Sequence, residues 1–426
     1  MDCLVLQGGR PLSGSVEVSG AKNAALPLMA ATLLAPGEHV ITRVPRLADT
    51  QTMVRVLEAL GAKIHWDATT MRIDTSTCSS VEAPYDLVKT MRASVYVLGP
   101  LLARFGRARV SLPGGCAWGP RPVDLHLKSM EALGATIEID EGYIVATAPP
   151  AVGATQGSSL RGTRFTFPIS SVGATGNLLM AAVLARGISV VENAAIEPEI
   201  TQLAEYLVVM GANIEGIGTT RLEIEGVDTL SPARVEVIPD RIEAATYLVG
   251  GAITLGDVTI TRCQPGHLAA SLGALEAMGS KITINGLAIT LQSGGRPRAA
   301  DIATAVYPGF ATDMQAQMMA LAAIADGVSV ITDTIYHDRF SHAPELARMG
   351  ADICVVDNVA TVHGKTRLKG APVMATDLRA SAALVLAGLA AEGETVVSRI
   401  YHLDRGYENL AAKLATLGAR VERRPE

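Results

Sequence analysis

The nine residues VLEALGAKI at positions 56–64 recur five more times along this chain with conservative changes. Each copy begins with helix-favouring residues, reaches a glycine suited to the left-handed position after a helix, and ends in an alternating strand pattern. Successive glycines lie 68 to 77 residues apart, so the sequence predicts six structural repeats. The other copies are SMEALGATI (129–137), YLVVMGANI (206–214), ALEAMGSKI (274–282), ELARMGADI (345–353) and KLATLGARV (413–421).

A second series of six segments alternates with the first at the same period. In each, an Ala-rich helical stretch ends at a glycine and a β-branched run of strand length follows. Chance recurrence of a common turn is the alternative, but two series in phase oppose it. Each repeat should therefore hold two helices and several strands. The segments are LLAPGEHVITRV (33–44), LLARFGRARVSL (101–112), VLARGISVVENA (183–194), GAITLGDVTITR (251–262), AAIADGVSVITD (322–333) and LAAEGETVVSRI (389–400).

The size and content of the repeats decide the fold class. A propeller blade is all-β, and solenoid repeats are usually about 20–45 residues long, so neither architecture fits. Strands that alternate with helices favour sheets covered by helices, with each Ala-rich helix buried. We therefore predict an α/β protein of six repeat units, arranged as two domains of three units each.

Composition excludes several classes of protein. Hydrophobic residues make up 49% of the 426 residues and aromatic residues 4%, which is too apolar for a disordered chain. Lys and Arg number 36 against 42 acidic residues, a net charge of −6, whereas a nucleic-acid binder needs an excess of positive charge. We therefore expect no nucleic-acid partner.

The cysteine, histidine and hydropathy patterns suggest a soluble protein of the reducing cytoplasm. The five cysteines are scattered without a C-x-x-C, and the eight histidines show no ligand spacing, so neither disulfides nor a structural zinc site are expected. The start of the chain lacks the features of a secretory signal, and the apolar run at 381–391 is too short to span a bilayer. The sequence has no cluster of carboxylates that would indicate a metal site. It also has no G-x-G-x-x-G after a strand, which a dehydrogenase would require, so we expect no cofactor.

Charged residues mark the starts of five of the six Ala-rich helices. Aspartate there fits an N-cap, but a cation opposes the helix dipole. The cations are therefore explained either by a bound anionic ligand, which we favour, or by structural ion pairs. The third helix instead begins with an uncharged Ser-Ser-Val-Gly. The charged residues are Lys22, Arg92, Asp240 with Arg241, Asp313, and Asp377 with Arg379.

The segment SLPGGCAWGPRPVDLH at 111–126 is the longest Gly- and Pro-punctuated stretch and is typical of an active-site lid. Cys116 lies at its centre. A cysteine in a loop is usually inert, but flanking glycines and Arg121 favour exposure and a lowered thiol pKa. On these residues alone, Cys116 is either an inert side chain or a catalytic thiol.

Eight segments together resemble the UDP-N-acetylglucosamine enolpyruvyl transferase (1-carboxyvinyltransferase) family, from Met1 to about Val421. The cysteine loop followed by RPVDLH is the most specific of them. The segments are GAKNAALP (20–27), APYDLVKTMRAS (83–94), RVSLPGGCAWGPRPVDLH (109–126), SVGAT (171–175), PDRIE (239–243), ATDMQAQ (311–317), MATDLRAS (374–381) and YHLDRGYE (401–408).

The resemblance implies a fold and an activity. The fold would be a pair of inside-out α/β domains, each of three βαβαββ units: domain I at 22–237, with the Cys116 loop, and domain II at 1–21 and 238–426. The activity would be transfer of the enolpyruvyl group of phosphoenolpyruvate to the 3′-hydroxyl of UDP-N-acetylglucosamine through a tetrahedral ketal, the first committed step of peptidoglycan precursor synthesis. Oligomeric state stays open.

The resemblance also implies a role for each matching residue. Cys116 would donate a proton to phosphoenolpyruvate and be the target of the antibiotic fosfomycin, and Asp313 would accept or orient the proton of the sugar hydroxyl. Lys22 and Arg405 complete the implied catalytic set, and Asp377 is a further site carboxylate. Phosphoenolpyruvate would be bound by Lys22, Asn23, Arg121, Arg379 and Arg405. The nucleotide sugar would be bound by Asn23, Arg92, Arg121, Pro122, Val123, Asp124, Leu125, Ser171, Val172, Gly173, Asp313 and Ile335.

The chain departs from the family pattern on the acceptor side. Ile169 replaces a common lysine near the diphosphate, Ile196 replaces an arginine, Tyr336 replaces a phenylalanine, and HDRFSH stands at 337–342. Two alternatives therefore stay open: transfer to another nucleotide in secondary metabolism, and a non-catalytic nucleotide-sugar-binding protein. An enzyme acting on shikimate 3-phosphate would lack the cysteine loop and RPVDLH.

Overall fold

The computed structural model describes residues 2–89, 91–112, 123–149, 159–336 and 338–426. The chain divides into two compact units. We call Gly20–Ile238 the central unit, and Met1–Ser19 together with Pro239–Glu426 the split unit. Cys116, Arg121 and Pro122, which carry part of the predicted site, lie outside the described residues.

The elements follow one another in nearly the same order in every repeat. The first residues form β1 (Asp2–Gln7) and β2 (Ser13–Glu17). The strands of the central unit are β3 (Glu38–Thr42), β4 (Lys63–Asp67), β5 (Thr70–Asp74), β6 (Glu82–Ala83), β7 (Arg107–Ser111), β8 (Thr136–Asp140), β9 (Tyr143–Thr147), β10 (Arg164–Thr166), β11 (Ile188–Glu192), β12 (Asn213–Glu215), β13 (Arg221–Glu225) and β14 (Arg234–Glu236). Its helices are α1 (Lys22–Ala31), α2 (Ala48–Ala59), α3 (Tyr85–Val88), α4 (Leu98–Phe105), α5 (Asp124–Ala132), α6 (Val172–Ala182) and α7 (Pro198–Val209).

The rest of the split unit repeats this order. Its strands are β15 (Asp257–Thr261), β16 (Lys281–Asn285), β17 (Ala288–Gln292), β18 (Ile302–Ala303), β19 (Val328–Thr332), β20 (Asp352–Val356), β21 (Val359–His363), β22 (Pro372–Met374), β23 (Glu394–Ser398) and β24 (Arg420–Pro425). Its helices are α8 (Arg241–Ile253), α9 (Ala269–Ala277), α10 (Gln315–Ala322), α11 (Ala343–Arg348), α12 (Leu378–Ala390) and α13 (Leu410–Thr416). Short 3-10 helices cover Thr32–Leu34, Arg92–Val97, Pro265–Leu268, Thr312–Met314 and Ile400–Arg405.

In the described part of the chain, the strands form six four-stranded sheets of one topology. In the sheet of the second repeat, β7 runs parallel to β6 and antiparallel to β9, and β8 forms a hairpin with β9. The sheets built on β11 and β19 have the same pattern. Each repeat is therefore a βαβαββ unit, with a parallel strand at one edge and a hairpin at the other.

Segments distant in sequence complete the remaining sheets. In the central unit, β14 pairs in parallel with β3, with Val235 opposite Ile41. In the split unit, β2 pairs in parallel with β15, and β1 lies between β23 and β24, antiparallel to both. The strands of residues 1–19 thus fill places that the fourth and sixth repeats cannot fill themselves.

The first helix of each repeat is buried on nearly every side. All residues of α10 are buried, as are all residues of α8 after Arg241. Such helices must be apolar all round, and their Ala and Gly content lets neighbours such as α4 and α6 pack closely. The sheets turn alternate residues towards these helices, as the second and fourth residues of β3 and β15 show. This arrangement confirms the predicted inside-out α/β class. Among the described helices, none is long and apolar enough to cross a bilayer.

Both series of glycines lie where the sequence predicts helix ends. The six glycines of the first series have positive φ values, between 88° and 112°, and each strand begins two residues later. In the second series the strand begins directly after each glycine. Gly256 differs from the others because the residue before it, Leu255, takes the left-handed conformation. A glycine is needed at 256 for a different reason: a Cβ there would lie 2.0 Å from the carbonyl oxygen of Leu12.

A buried ion pair fixes the end of the N-terminal segment of the split unit. Lys413 Nζ donates to Glu243 Oε1 at 2.6 Å and to Ser19 Oγ at 2.7 Å, and the backbone amide of Ser19 donates to Glu243 Oε2 at 2.8 Å. The side chain of Glu243 is only 2% exposed. Burial raises the pKa of Glu243, while the charge of Lys413 acts in the opposite direction.

We expect Lys413→Met to destabilise the split unit, because it leaves the Glu243 carboxylate buried without its cation. Removing one partner of a buried pair costs about 3 kcal/mol of unfolding free energy, which corresponds to a fall of roughly 5–10 °C in the melting midpoint. Differential scanning calorimetry measures it. Lys365→Met, which breaks the exposed pair of Lys365 with Asp352, is the matched control and should leave the midpoint nearly unchanged. Equal midpoints for the two variants would contradict the assignment.

Candidate active site

In the split unit, the carboxylate of Asp313 lies between two guanidinium groups. Arg339 Nη2 donates to Asp313 Oδ1 and Arg379 Nη2 donates to Asp313 Oδ2, each at 2.8 Å. The side chain of Asp313 keeps 26% exposure, while that of Arg379 keeps 3%. The pair of arginines therefore holds a carboxylate that still reaches solvent.

The charge on Asp313 is fixed by these neighbours. Burial alone would raise the pKa of Asp313, but the charges of Arg379 and Arg339 and their hydrogen bonds outweigh it and hold the pKa well below its usual value. Asp313 is thus ionised at neutral pH. It can accept a hydrogen bond from a hydroxyl group, and it binds protons poorly while both arginines stay in place.

Asp333, at the end of β19, organises the loop beside this group. Asp333 Oδ1 accepts hydrogen bonds from the backbone amides of Ile335 and Tyr336 at 3.0 and 2.9 Å. Asp333 Oδ2 accepts from Thr312 Oγ1 at 2.7 Å, and Thr312 in turn accepts from Arg339 Nη1 at 2.9 Å. The network connects Ile335, a predicted nucleotide-sugar residue, with the segment that carries Asp313.

Asp377 caps the helix that carries Arg379. Its Oδ1 accepts from the backbone amides of Arg379 and Ala380 at 2.8 and 3.2 Å, so the N-cap explanation holds at this position. It does not hold at Asp313, because Ala311 is the N-cap of that 3-10 helix and the Asp313 carboxylate binds arginines instead. Burial lowers the pKa of His402, on which the charges of Asp377 and Arg405 act in opposite senses.

In the central unit, Lys22 begins α1 and pairs with Asp49 of α2. Lys22 Nζ lies 3.3 Å from Asp49 Oδ2, and both side chains are largely buried. The helix dipole is unfavourable for a cation at this end of α1, and the carboxylate of Asp49 offsets it. The structural ion pair, which was the alternative explanation for the cations at helix starts, is therefore present at both Lys22 and Arg379.

The start of α6 has the form of an anion-binding helix terminus. Ser171 is the N-cap, and its Oγ accepts from the amide of Ala174 at 3.4 Å. The first intrahelical hydrogen bond runs from the amide of Thr175 to the carbonyl of Ser171, so the amides of Val172 and Gly173 have no acceptor within the helix and can donate to a ligand. His126 belongs to α5, whose first residue is Asp124. The charge of Arg92 helps burial to lower the pKa of His126, and the charge of Asp124 opposes it.

The structure adds three residues that the sequence did not single out. Arg339 and Asp49 are the partners of Asp313 and Lys22, and His126 contacts the start of α6. His126 lies in RPVDLH, which resembles the family, whereas Arg339 lies in HDRFSH, one of the segments that depart from the family pattern. Asp49 lies in the first turn of an amphipathic helix, where an acidic residue is ordinary.

Residues 6–414 match the family described as EPSP synthase (3-phosphoshikimate 1-carboxyvinyltransferase). The chain is 56% identical over 423 residues to the UDP-N-acetylglucosamine 1-carboxyvinyltransferase of Trichlorobacter lovleyi, with 99% of each chain covered. It is 55% identical over 424 residues to the protein of that name from Chloroherpeton thalassium, with 99% of this chain and 97% of the other covered.

Two solved structures share the fold. The enolpyruvyl transferase NikO from Streptomyces tendae superposes with a TM-score of 0.86 at 28% identity, covering 99% of this chain and 98% of its own. EPSP synthase from Acinetobacter baumannii superposes with a TM-score of 0.74 at 19% identity, with both chains fully covered, which shows likeness of fold alone.

We expect Arg339→Gln to raise the pKa of Asp313 by about one to two, because one of its two cationic neighbours is lost while Arg379 remains. A ¹³C NMR titration of aspartate carboxyl groups measures it. The matched control is Arg348→Gln, which removes an exposed arginine that pairs with Glu345 and should leave Asp313 as it is. An unchanged Asp313 titration in Arg339→Gln would show that the pair does not set its charge.

Proposed function

We propose a function for this chain, which belongs to the EPSP synthase family and is more than half identical to UDP-N-acetylglucosamine 1-carboxyvinyltransferases along its whole length. It transfers the enolpyruvyl group of phosphoenolpyruvate to the 3′-hydroxyl of UDP-N-acetylglucosamine with release of phosphate. This is the first committed step of peptidoglycan precursor synthesis. The observation that carries the proposal is the identity of 52–56% over 99% of the chain with relatives of this one name.

The reaction needs an acid, a group that receives or orients the hydroxyl proton, and cations. The sugar oxygen forms a bond to C2 of phosphoenolpyruvate while C3 gains a proton, giving a tetrahedral ketal. Loss of a proton from C3 and of phosphate from C2 then gives the enolpyruvyl ether. Cys116 is the proposed acid, since a thiol is a weak acid of suitable pKa, and Asp313 is the proposed partner of the hydroxyl.

The described environment of Asp313 supports an orienting role. An ionised carboxylate held by two arginines accepts a hydrogen bond from a hydroxyl and aligns its oxygen for attack. An anionic substrate that draws one arginine towards itself would weaken this hold and make Asp313 a better proton acceptor. Lys22, Arg121, Arg379 and Arg405, with Asn23, are the proposed ligands of phosphoenolpyruvate, since guanidinium groups match phosphate and carboxylate geometry.

The nucleotide sugar is assigned to the other predicted residues. The start of α6, with Ser171, Val172 and Gly173, is the proposed seat of the diphosphate, because free backbone amides at a helix terminus bind phosphate without a charged side chain. Arg92 and Ile335 are further proposed contacts, as is the segment Arg121–Leu125, of which Arg121 and Pro122 lie outside the described residues. Asp377, which caps α12 and so holds the start of the helix that carries Arg379, stays a proposed site carboxylate.

Two further assignments belong to this proposal. The two compact units correspond to functional domains I and II. The compartment is the cytoplasm, because a catalytic thiol must stay reduced and the bacterial cytoplasm keeps thiols so. Transfer to another nucleotide is not favoured, since the relatives that are 52–56% identical along the whole chain carry the name UDP-N-acetylglucosamine 1-carboxyvinyltransferase.

Acceptor choice is tested by phosphate release from phosphoenolpyruvate. We expect release with UDP-N-acetylglucosamine and none with UMP or shikimate 3-phosphate, because the relatives that match along the whole chain carry the first name. A colorimetric phosphate assay with each acceptor at equal concentration measures it. Release with a rival acceptor alone would overturn the function while leaving the fold intact.

The role of Cys116 is tested by two variants and the epoxide fosfomycin. Cys116→Asp should keep part of the activity and lose inactivation by fosfomycin, because an acid remains while the nucleophile is gone. Cys116→Ser should lose most activity, because a hydroxyl is a far weaker acid. Turnover assays and mass-spectrometric mapping of the adduct measure both. The exposed Cys354 is the internal control: an adduct there, or full activity in Cys116→Ser, contradicts the assignment.

A further inference from the structure

His126 is a buried imidazole with one nitrogen engaged and the other unused. Its exposure is 3%. Nδ1 lies 2.8 Å from Asn177 Nδ2, whereas no hydrogen bond joins Nε2 to any residue in the described ranges. Nε2 is not among the fully buried polar atoms that lack a partner in the described ranges, so this nitrogen reaches solvent and can donate to a ligand.

The contacts of Asn177 assign the tautomer of His126. The backbone amide of Gly99 donates to Asn177 Oδ1 at 2.9 Å, which fixes the orientation of the Asn177 amide. The two hydrogens of Asn177 Nδ2 then go to the carbonyl of Val95 at 2.9 Å and to His126 Nδ1. Nδ1 is therefore an acceptor, and the ring proton resides on Nε2.

The protonated nitrogen lies against the first turn of α6. A Cβ built on Gly173 would lie 3.0 Å from both Nε2 and Cε1 of His126. Gly173 is the second residue of α6, next to the free amides of Val172 and of Gly173 itself. A third N–H donor thus lies beside two backbone donors at a helix terminus.

The surrounding charges suit an anion. Arg92 acts on His126 from the 3-10 helix that begins with it, and Asp124 acts in the opposite sense from the start of α5. Lys128 Nζ lies 3.3 Å from the Asp124 carboxylate and offsets its charge. Burial, followed by the charge of Arg92, lowers the pKa of His126 to about 4, so the ring is a neutral donor at every pH near 7.

We propose that His126 donates a hydrogen bond through Nε2 to a phosphate oxygen of the nucleotide diphosphate seated at the first turn of α6, and that Asn177 sets its tautomer for this purpose. The inference rests on the proposed function, which supplies the diphosphate. It also accounts for Ile169, which is 68% exposed and brings no charge where the family commonly has a lysine: a neutral donor contributes to anion binding without one.

Two substitutions separate the two nitrogens. Asn at position 126 can place an oxygen where Nδ1 lies and so keeps the acceptor for Asn177, but it has no group at the position of Nε2. Gln can place an amide nitrogen near Nε2 but loses the acceptor. For a ligand-binding role we therefore expect His126→Asn to bind UDP about tenfold more weakly, in keeping with a hydrogen bond to a charged group, and His126→Gln to stay within about threefold of the unaltered protein.

Isothermal titration of the full chain with UDP and with UDP-N-acetylglucosamine measures affinity, and calorimetry measures the melting midpoint of each variant. A purely structural role would give the reverse order, with His126→Gln the weaker binder and His126→Asn like the unaltered protein, and would overturn the proposal. Unchanged affinity in both variants would overturn it as well. If the unaltered protein binds neither ligand, the proposed function is itself wrong, because it requires a bound nucleotide diphosphate.

Spectroscopy of the unaltered protein keeps the proposal testable if a variant does not fold. In ¹⁵N-histidine-labelled protein we expect His126 to be protonated on Nε2 and its Nε2 resonance to move when UDP is added. Inorganic phosphate and uridine are added separately to distinguish the diphosphate from the nucleoside. A proton on Nδ1, or a resonance that UDP leaves in place, would overturn the proposal.

Discussion

The complete burial of one helix per repeat constrains the rest of the molecule. A helix surrounded by protein carries charge near its ends, because a charge along its length would lose its water without gaining a partner. The interiors of α8, α10 and α12 are accordingly mostly Ala, Leu, Val, Ile, Met and Gly, with a few uncharged polar residues such as Thr246, Gln317 and Ser381. Lys22, Arg92, Asp313, Arg379 and Ser171 all lie at or just before the start of such a helix. The same constraint that closes the core thus concentrates the chemistry at helix starts.

Charge within the split unit is balanced by local pairs. Arg379 is almost fully buried and opposes the dipole of its own helix, yet it is stable there because Asp377 caps the helix and Asp313 binds the guanidinium. Arg379 Nε and Nη1 nevertheless stay buried without a hydrogen-bond partner among the described residues. Arg379 therefore satisfies the Asp313 carboxylate while part of its own hydrogen-bonding capacity is unused.

The sequence predicts what is periodic and misses what depends on tertiary packing. The fold follows from two interleaved glycine series, since each glycine marks a change from helix to strand that recurs in every repeat. Asp313 and Arg379 follow from their position at helix starts. Arg339 lies in the irregular connection between β19 and α11, where the glycine series places no residue, and His126 reaches the start of α6 only because α5 packs against α6. Neither contact is encoded in local spacing.

The place of β1 between β23 and β24 has a consequence for synthesis on the ribosome. The first strand to leave the exit tunnel must wait for partners translated last, because β1 pairs with residues 394–397 and 420–425. The intervening Gly20–Ile238 contains all the strands of its own three sheets and can fold first. β2 waits only for β15, whereas β1 exposes two unpaired edges until translation ends, the condition in which nascent chains aggregate and chaperones bind.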